Sequence, residues 1–300
     1  MNLTTYPDRA AWLAARRLGL GGSDVPAVLG ISPWRTPLQV WSEKVGLAGD
    51  DGGSSYVLRR GTHMEPLLWR ELEGEVPGLK VIPLAFQIAV GAEPWMRYSP
   101  DAFLRIEADG SYAEALGEGK SHPRGSSDWA DGAPAHVVCQ VQWGMHVCDL
   151  PQAFVAVDLG TEFKWQRIER DSAWIETHLP TFRAFWESVV SETPPAPTGD
   201  EGDRAVLQRL WPKPQDGRTV SLPDKVFDLS FEWDELAAQQ LATKKRLDQI
   251  KAEIEAEMKD AEWGTLPDGS GFTWKVEGQD ARPQPGWSKR VLRRKKAKER

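Results

Sequence analysis

The sequence predicts an α+β fold: a mixed central β-sheet flanked by helices, then a helical arm and a small β-hairpin. Three observations predict it. Apolar residues recur at helical spacing near the N-terminus and in strand-like runs through the middle. The helices precede a run of strands rather than alternating with them. A Pro/Gly/acid-rich stretch, T-P-P-A-P-T-G-D-E-G-D (193–203), then separates this mixed region from one rich in Ala, Lys, Glu and Leu.

The elements follow in order. G-G-S-D-V-P-A-V-L-G (21–30) reads as a short helix with Ser23 as N-cap and Gly30 past its end. Thr36 caps a second helix with Pro37 at its first position, Leu38, Trp41 and Val45 on one face, and Gly46 as its stop. Met64, Leu67, Leu68 and Leu72 place a third helix over roughly 60–73. Strand-like runs cover 81–90, 95–99, 102–108 and, more weakly, 111–120. A helix near 136–148 precedes a strand pair at 153–159 and 163–170. Asp171 caps a long helix to about 191 that buries Trp174, Ile175, Leu179, Phe182, Trp186 and Val189 and is kinked by Pro180.

This gives a core over 1–192, a linker over 193–204, a helical extension over 205–262, a β-hairpin over 263–280 and a basic, flexible tail over 281–300. Within the extension, Leu247, Ile250, Ile254 and Met258 form a narrow apolar stripe on a charged helix, suited to an arm or to packing on a partner. The hairpin turns around Gly269–Gly271.

Composition excludes several classes. At 40% hydrophobic and 27% charged residues, the chain is globular rather than disordered. No run approaches the roughly 18 apolar residues of a membrane span. The first twenty residues lack an apolar signal region. Two cysteines, Cys139 and Cys148, build no disulfide framework and fit a reducing cytoplasm. With His146 they lack a fourth ligand at zinc spacing. No phosphate-binding G-x-x-x-x-G-K-[ST] loop, G-x-G-x-x-G fingerprint or G-x-S-x-G elbow is present. The net charge of −7 is uneven: residues 281–300 carry +8, leaving −15 on the first 280. Such a tail either tracks a polyanion or is a solvated end.

The chemistry-bearing residues lie in the strand region. Asp101 follows a proline directly after a strand, and Glu118 and Lys120 come seventeen and nineteen residues later as E-G-K. Alternate strand residues share a face, so Glu118 and Lys120 project side by side, and an acid from the preceding strand end can join them. Two carboxylates and a lysine suit a hard divalent cation such as Mg²⁺, which activates water and neutralises a phosphoryl group. Glu65 stands on the third helix among Leu68, Trp69 and Leu72, where an unpaired carboxylate is costly. Gln140 and Gln142 lie in the otherwise apolar V-V-C-Q-V-Q-W-G-M-H-V and need partners.

On these segments the chain resembles the YqaJ-type viral recombinase family, alkaline exonucleases similar to lambda exonuclease within the PD-(D/E)XK nuclease superfamily. The matching segments are R-R-L-G-L-G-G-S-D-V-P-A-V-L-G-I-S-P-W-R-T-P (16–37), G-T-H-M-E-P (61–66), S-P-D-A (99–102), E-G-K (118–120) and Q-V-Q-W-G-M (140–145), in the family's order. The resemblance implies a PD-(D/E)XK core that degrades one strand of duplex DNA from its 5′ end. It makes Glu65, Asp101 and Glu118 ligands for one or two Mg²⁺ or Mn²⁺ ions, Lys120 the catalytic lysine and Gln140 the first glutamine of the family's Q-x-Q. It places Arg17 and Ser23 at the terminal 5′ phosphate, with Arg16 competing with Arg17; Arg35 and the loop residue Trp34 are further candidates for DNA contact. Trp129 is a second loop candidate for DNA contact.

The resemblance also implies a ring-like homo-oligomer such as a trimer, a RecT-type single-strand annealing partner, and work in the cytoplasm of a bacterium or phage-infected host. Two departures stand out: Gly117 and Gly119 flank Glu118 where the family favours aliphatic residues, which suggests a looser strand, and Val137 replaces an aromatic. The alternatives are a non-catalytic DNA-end-binding scaffold of the same fold and an endonuclease. A Cas4-like nuclease would need four cysteines for its cluster.

Overall fold

Register explains most of the architecture. In the computed structural model, which describes residues 2–47, 56–108, 110–122, 126–213, 215–279 and 287–295, a five-stranded mixed sheet organises the first unit, Met1–Pro214. Its strands are β2 (Leu79–Pro83), β5 (Ala102–Ala108), β6 (Ser111–Ser121), β7 (Gln152–Asp158) and β8 (Phe163–Glu169), in the order β2-β5-β6-β7-β8. All pairs are antiparallel except β6–β7. Parallel neighbours require a crossover, and α5 (Ala135–Cys148) lies in the segment that joins them.

Period two divides the sheet's side chains between two cores. Ala153, Val155 and Val157 face a cluster with Val141 and Trp143 of α5 and Phe182 of α6 (Ser172–Val190). Phe154 and Ala156 face Leu68, Trp69 and Leu72 of α4 (Tyr56–Glu75). A second sheet, β1 (Asn2–Thr5), β3 (Gln87–Val90) and β4 (Arg97–Tyr98), is antiparallel throughout. Leu20 locks the preceding segment onto it: its N–H donates to Trp95 O (2.8 Å), and its carbonyl accepts from Arg97 N (3.0 Å). Position 19 must be glycine, because a Cβ there would strike the Trp95 carbonyl.

Several expectations change. The run 81–90 is not one strand. The chain breaks after β2, passes through Phe86 at φ 54°, and re-enters the other sheet as β3. Ser23 caps no helix: the N-cap is Asp24, and α2 (Val25–Val28) is a single turn. Thr36 and Asp171 cap α3 (Pro37–Lys44) and α6 as their sequences predict, accepting from Gln39 N (3.1 Å) and Trp174 N (2.9 Å). Trp129 is buried in the core and offers no loop contact. The 193–204 stretch contains the start of α7 (Glu201–Leu210), which belongs to the first unit because buried Asp203 accepts hydrogen bonds from Thr36 and Thr198.

The second unit is Gln215–Arg300. Its helix α8 (Asp224–Met258) begins after Pro223, within the expected extension, and runs 35 residues. Strands β9 (Trp263–Thr265) and β10 (Gly271–Gln279) form the expected hairpin. Part of the basic tail is a strand too: β11 (Trp287–Lys295) pairs along β10, while 281–286 and 296–300 lie outside the described residues. No described helix is long and apolar enough to cross a membrane.

Candidate active site

The site forms where β5 stops. The β5–β6 register ends at Ala102↔Gly117, so Asp101 arrives opposite Glu118 one step beyond the ladder. Pro100 just before it has no N–H with which to continue the pairing. Past Gly117, among the described residues, β6 keeps a strand partner on one side only, where Glu118 meets Val155 and Lys120 meets Val157. Through this notch, helices from both faces of the sheet reach the same carboxylates.

A cavity of about 420 Å³ opens there, lined by Glu65 of α4, Asp101, Glu118 and Lys120 of the sheet and Gln140 of α5. Glu118 is the buried hub. Its Oε1 accepts from Lys120 Nζ (2.5 Å) and Gln140 Nε2 (2.6 Å), and its Oε2 accepts from the Tyr98 hydroxyl (2.6 Å). Lys120 also donates to Gln140 Oε1 (3.1 Å), and Asp101 Oδ2 accepts from Gly119 N (3.0 Å). Gln142, two residues further along α5 and so about 200° round the helix, serves elsewhere: it bridges Glu169 O (2.8 Å) and Asp171 N (2.8 Å). The flanking glycines are close-packed. A Cβ at Gly117 would fall 3.1 Å from Ala102 Cβ, and one at Gly119 would fall 3.3 Å from Trp69 Cζ2. The sheet is tight here, not loose.

The opposite wall carries Arg16 and Ser23, with Arg16 Nη2 donating to Ser23 Oγ (3.0 Å). Arg16 is the last residue of α1 (Arg9–Arg16), and its guanidinium stacks over Trp12 at 4.7 Å. Arg17, one residue further round, is exposed and does not line the cavity. Arg35 is committed to Asp24 (3.1 Å) and Glu43 (2.9 Å). Trp34 is 66% exposed and rests edge-on against His136 of α5. The structure therefore gathers Glu65, Asp101, Glu118, Lys120, Gln140, Arg16 and Ser23 in one cavity, and leaves Arg17, Arg35 and Trp34 off its lining.

The electrostatics are those of crowded acids. Burial, then the charge of Glu118, push the Asp101 carboxyl well above the ordinary carboxylate range, against the pull of Lys120. Glu65 is raised for the same two reasons. Burial works against the Lys120 ammonium, but Glu118 and Asp101 hold its pKa above the usual value. Tyr98, which the sequence reading passes over, is raised well above its ordinary value by burial and by Glu118. Its one sequence signal is position, three residues before Asp101.

Among the described residues, no three His, Cys, Asp or Glu side chains stand close enough to hold a metal ion as they are. Lys120 is the cation beside Glu118. The donor chemistry nonetheless suits a hard divalent ion: all three acids face one cavity, and Glu65 has no hydrogen-bond partner among the described residues.

This is a carboxylate–lysine site at the notch of a mixed sheet, facing a basic cradle. Residues 11–151 match the model of the YqaJ-like viral recombinase domain. It is 27% identical over 276 residues to "Uncharacterized protein YqaJ" of Bacillus subtilis strain 168, spanning 86% of this chain and 81% of that protein. Among solved structures, LHK-Exo in complex with dAMP matches with a TM-score of 0.50 at 21% identity, over 61% of this chain and 93% of that one. A second structure of LHK-Exo, the alkaline exonuclease of Laribacter hongkongensis, gives 0.48 at 20% identity over the same shares. The first of these likenesses shows that the mixed-sheet fold is shared with LHK-Exo.

Proposed function

We propose that this protein is a metal-dependent deoxyribonuclease that degrades one strand of linear duplex DNA from its 5′ end, in phage-type recombination by single-strand annealing. The observation that carries this reading is one cavity with Glu65, Asp101, Glu118, Lys120 and Gln140 on one side and the Arg16–Ser23 pair on the other. The alkaline-exonuclease fold and the YqaJ-like domain support it.

Glu65, Asp101 and Glu118 would hold Mg²⁺ or Mn²⁺, which when bound polarises the scissile phosphate and makes hydroxide available at neutral pH. Lys120 positions the attacking water and neutralises charge on the phosphate. Gln140, bonded to both Glu118 and Lys120, orients the pair. Arg16 takes the terminal 5′ phosphate with its planar fork, and Ser23 adds a hydroxyl donor. This makes Arg16 rather than Arg17 the end-reading arginine, and the 5′-to-3′ polarity rests on it.

The reading extends to a ring-like homo-oligomer and a RecT-type annealing partner. The large apolar residues exposed along α8 supply surface for such contacts. The basic run 281–300 supplies charge for gripping the duplex in spite of the acidic body.

The test is digestion of end-labelled linear duplex, with or without a 5′ phosphate, in Mg²⁺ or EDTA, by the wild type and Lys120→Ala. Metal-dependent loss of the 5′ end that Lys120→Ala abolishes is the expected result. Binding without product under any divalent metal would make the protein a scaffold, and cuts in circular DNA would make it an endonuclease.

A further inference from the structure

Glu118 is held on both oxygens, and only one of its three partners has no place in the proposed chemistry. Lys120 and Gln140 share Oε1, whereas Oε2 is bonded by the Tyr98 hydroxyl alone among the described residues. Tyr98 is buried in the core, and a buried phenol must find an acceptor. Here the acceptor is the carboxylate at the centre of the site.

The ring is also fixed from two sides by missing side chains. A Cβ at Gly22, in the Arg16–Ser23 wall, would strike the ring edge, and one at Gly144, a turn after Gln140 on α5, would fall 2.5 Å from Tyr98 Cζ. The ring thus fills the space between the basic cradle and α5, and its hydroxyl ends on Glu118. The Tyr98 bond to Oε2 is independent of Lys120, which sits on Oε1.

We propose, on the nuclease reading above, that Tyr98 is a positioning residue: its hydroxyl fixes the rotation of the Glu118 carboxylate for the divalent ion, and Gly22 and Gly144 are glycines so that its ring fits. The experiment uses the full chain without DNA, titrated with Mn²⁺ and followed by electron paramagnetic resonance. It is paired with kcat and KM on 5′-phosphorylated linear duplex and with the melting temperature. Tyr98→Phe keeps the ring and removes the donor. It should weaken Mn²⁺ binding by roughly 10–100-fold, the usual cost of losing a group that orients a ligand. It should also lower kcat at limiting Mn²⁺ and leave the KM for DNA unchanged.

Gly144→Ala keeps the hydroxyl and displaces it, touches no other residue of the site, and should shift Mn²⁺ affinity the same way. It also serves if Tyr98→Phe fails to fold. Wild-type Mn²⁺ affinity and kcat in Tyr98→Phe, with the wild type active, would overturn the positioning role and leave the nuclease standing. A lowered melting temperature with unchanged Mn²⁺ affinity would reduce Tyr98 to a packing residue. A wild type that neither binds Mn²⁺ nor cleaves would overturn both readings.

Discussion

Helices α5 and α8 are built on opposite terms. Nine of the 14 residues of α5 are buried, and its two glutamines are both occupied: Gln140 with Glu118 and Lys120, Gln142 with the chain around Glu169 and Asp171. Of the 35 residues of α8 only Met258 is buried, and its exceptions are apolar: Phe227, Leu229, Phe231, Trp233 and Leu236 are exposed. A buried polar side chain and an exposed aromatic one are both departures from the ordinary sorting of residues, and departures are where function shows. In α5 they point inward to chemistry. In α8 they point outward to solvent.

The comparison can be broken in four ways. The largest effect belongs to the core beneath α5. Phe182 is fully buried against Trp143, and Phe182→Ala should cost about 3–5 kcal/mol in chemical denaturation. Next comes the glutamine pair, whose members should fail differently. Gln140→Leu should lower DNA cleavage roughly 10–100-fold with little loss of stability. Gln142→Leu should spare cleavage and cost about 1 kcal/mol, because it removes two part-buried hydrogen bonds, to the Glu169 carbonyl and the Asp171 N–H. If both lose activity alike, α5 has one function rather than two.

The third prediction concerns acid. Burial raises the Asp24 carboxyl, but Lys44, then Arg35 and Arg16, override it and hold it well below its ordinary 3.8. A folded value below the unfolded one stabilises the protein above about pH 4 and loses that contribution as pH falls further. Asp24→Asn should therefore lower the melting temperature at pH 7 and flatten the acid limb below pH 4. An unchanged acid limb would show that the cluster adds nothing. The smallest effect is on α8: Trp233 is 74% exposed, and Trp233→Ala should change stability by no more than about 0.5 kcal/mol in dilute solution. A larger loss would mean that the face is already covered.

Much of this was legible because the chemistry sits on strict periods. Glu118 and Lys120 share a strand face by alternation, and the β5–β6 register brings Asp101 to them. Gln140 stood out as polar in an apolar helix. What sequence could not resolve depends on a single residue of rotation or on a tertiary contact. Arg16 and Arg17 differ by about 100° around α1, and the helix ends between them. Ser23 has the residue type and place of a cap, but α2 is one turn and its N-cap falls a residue later, at Asp24. Gly117 and Gly119 suggest a loose strand by residue type, whereas the close packing of Ala102 and Trp69 against them is a tertiary contact. Tyr98 was invisible because a core tyrosine and a carboxylate-orienting tyrosine have the same one-letter context. In 281–300, the charge hid the pairing of β11 with β10.

The place where β5 stops has a meaning apart from chemistry. A strand with one flank unpaired offers its N–H groups to any other chain, which is how sheets aggregate. On β6 the Gly119 N–H is spoken for by Asp101. That acid therefore guards an edge even in a molecule that never meets DNA. Inactive controls made at Asp101 should lose solubility along with activity, whereas those made at Lys120 should lose activity alone.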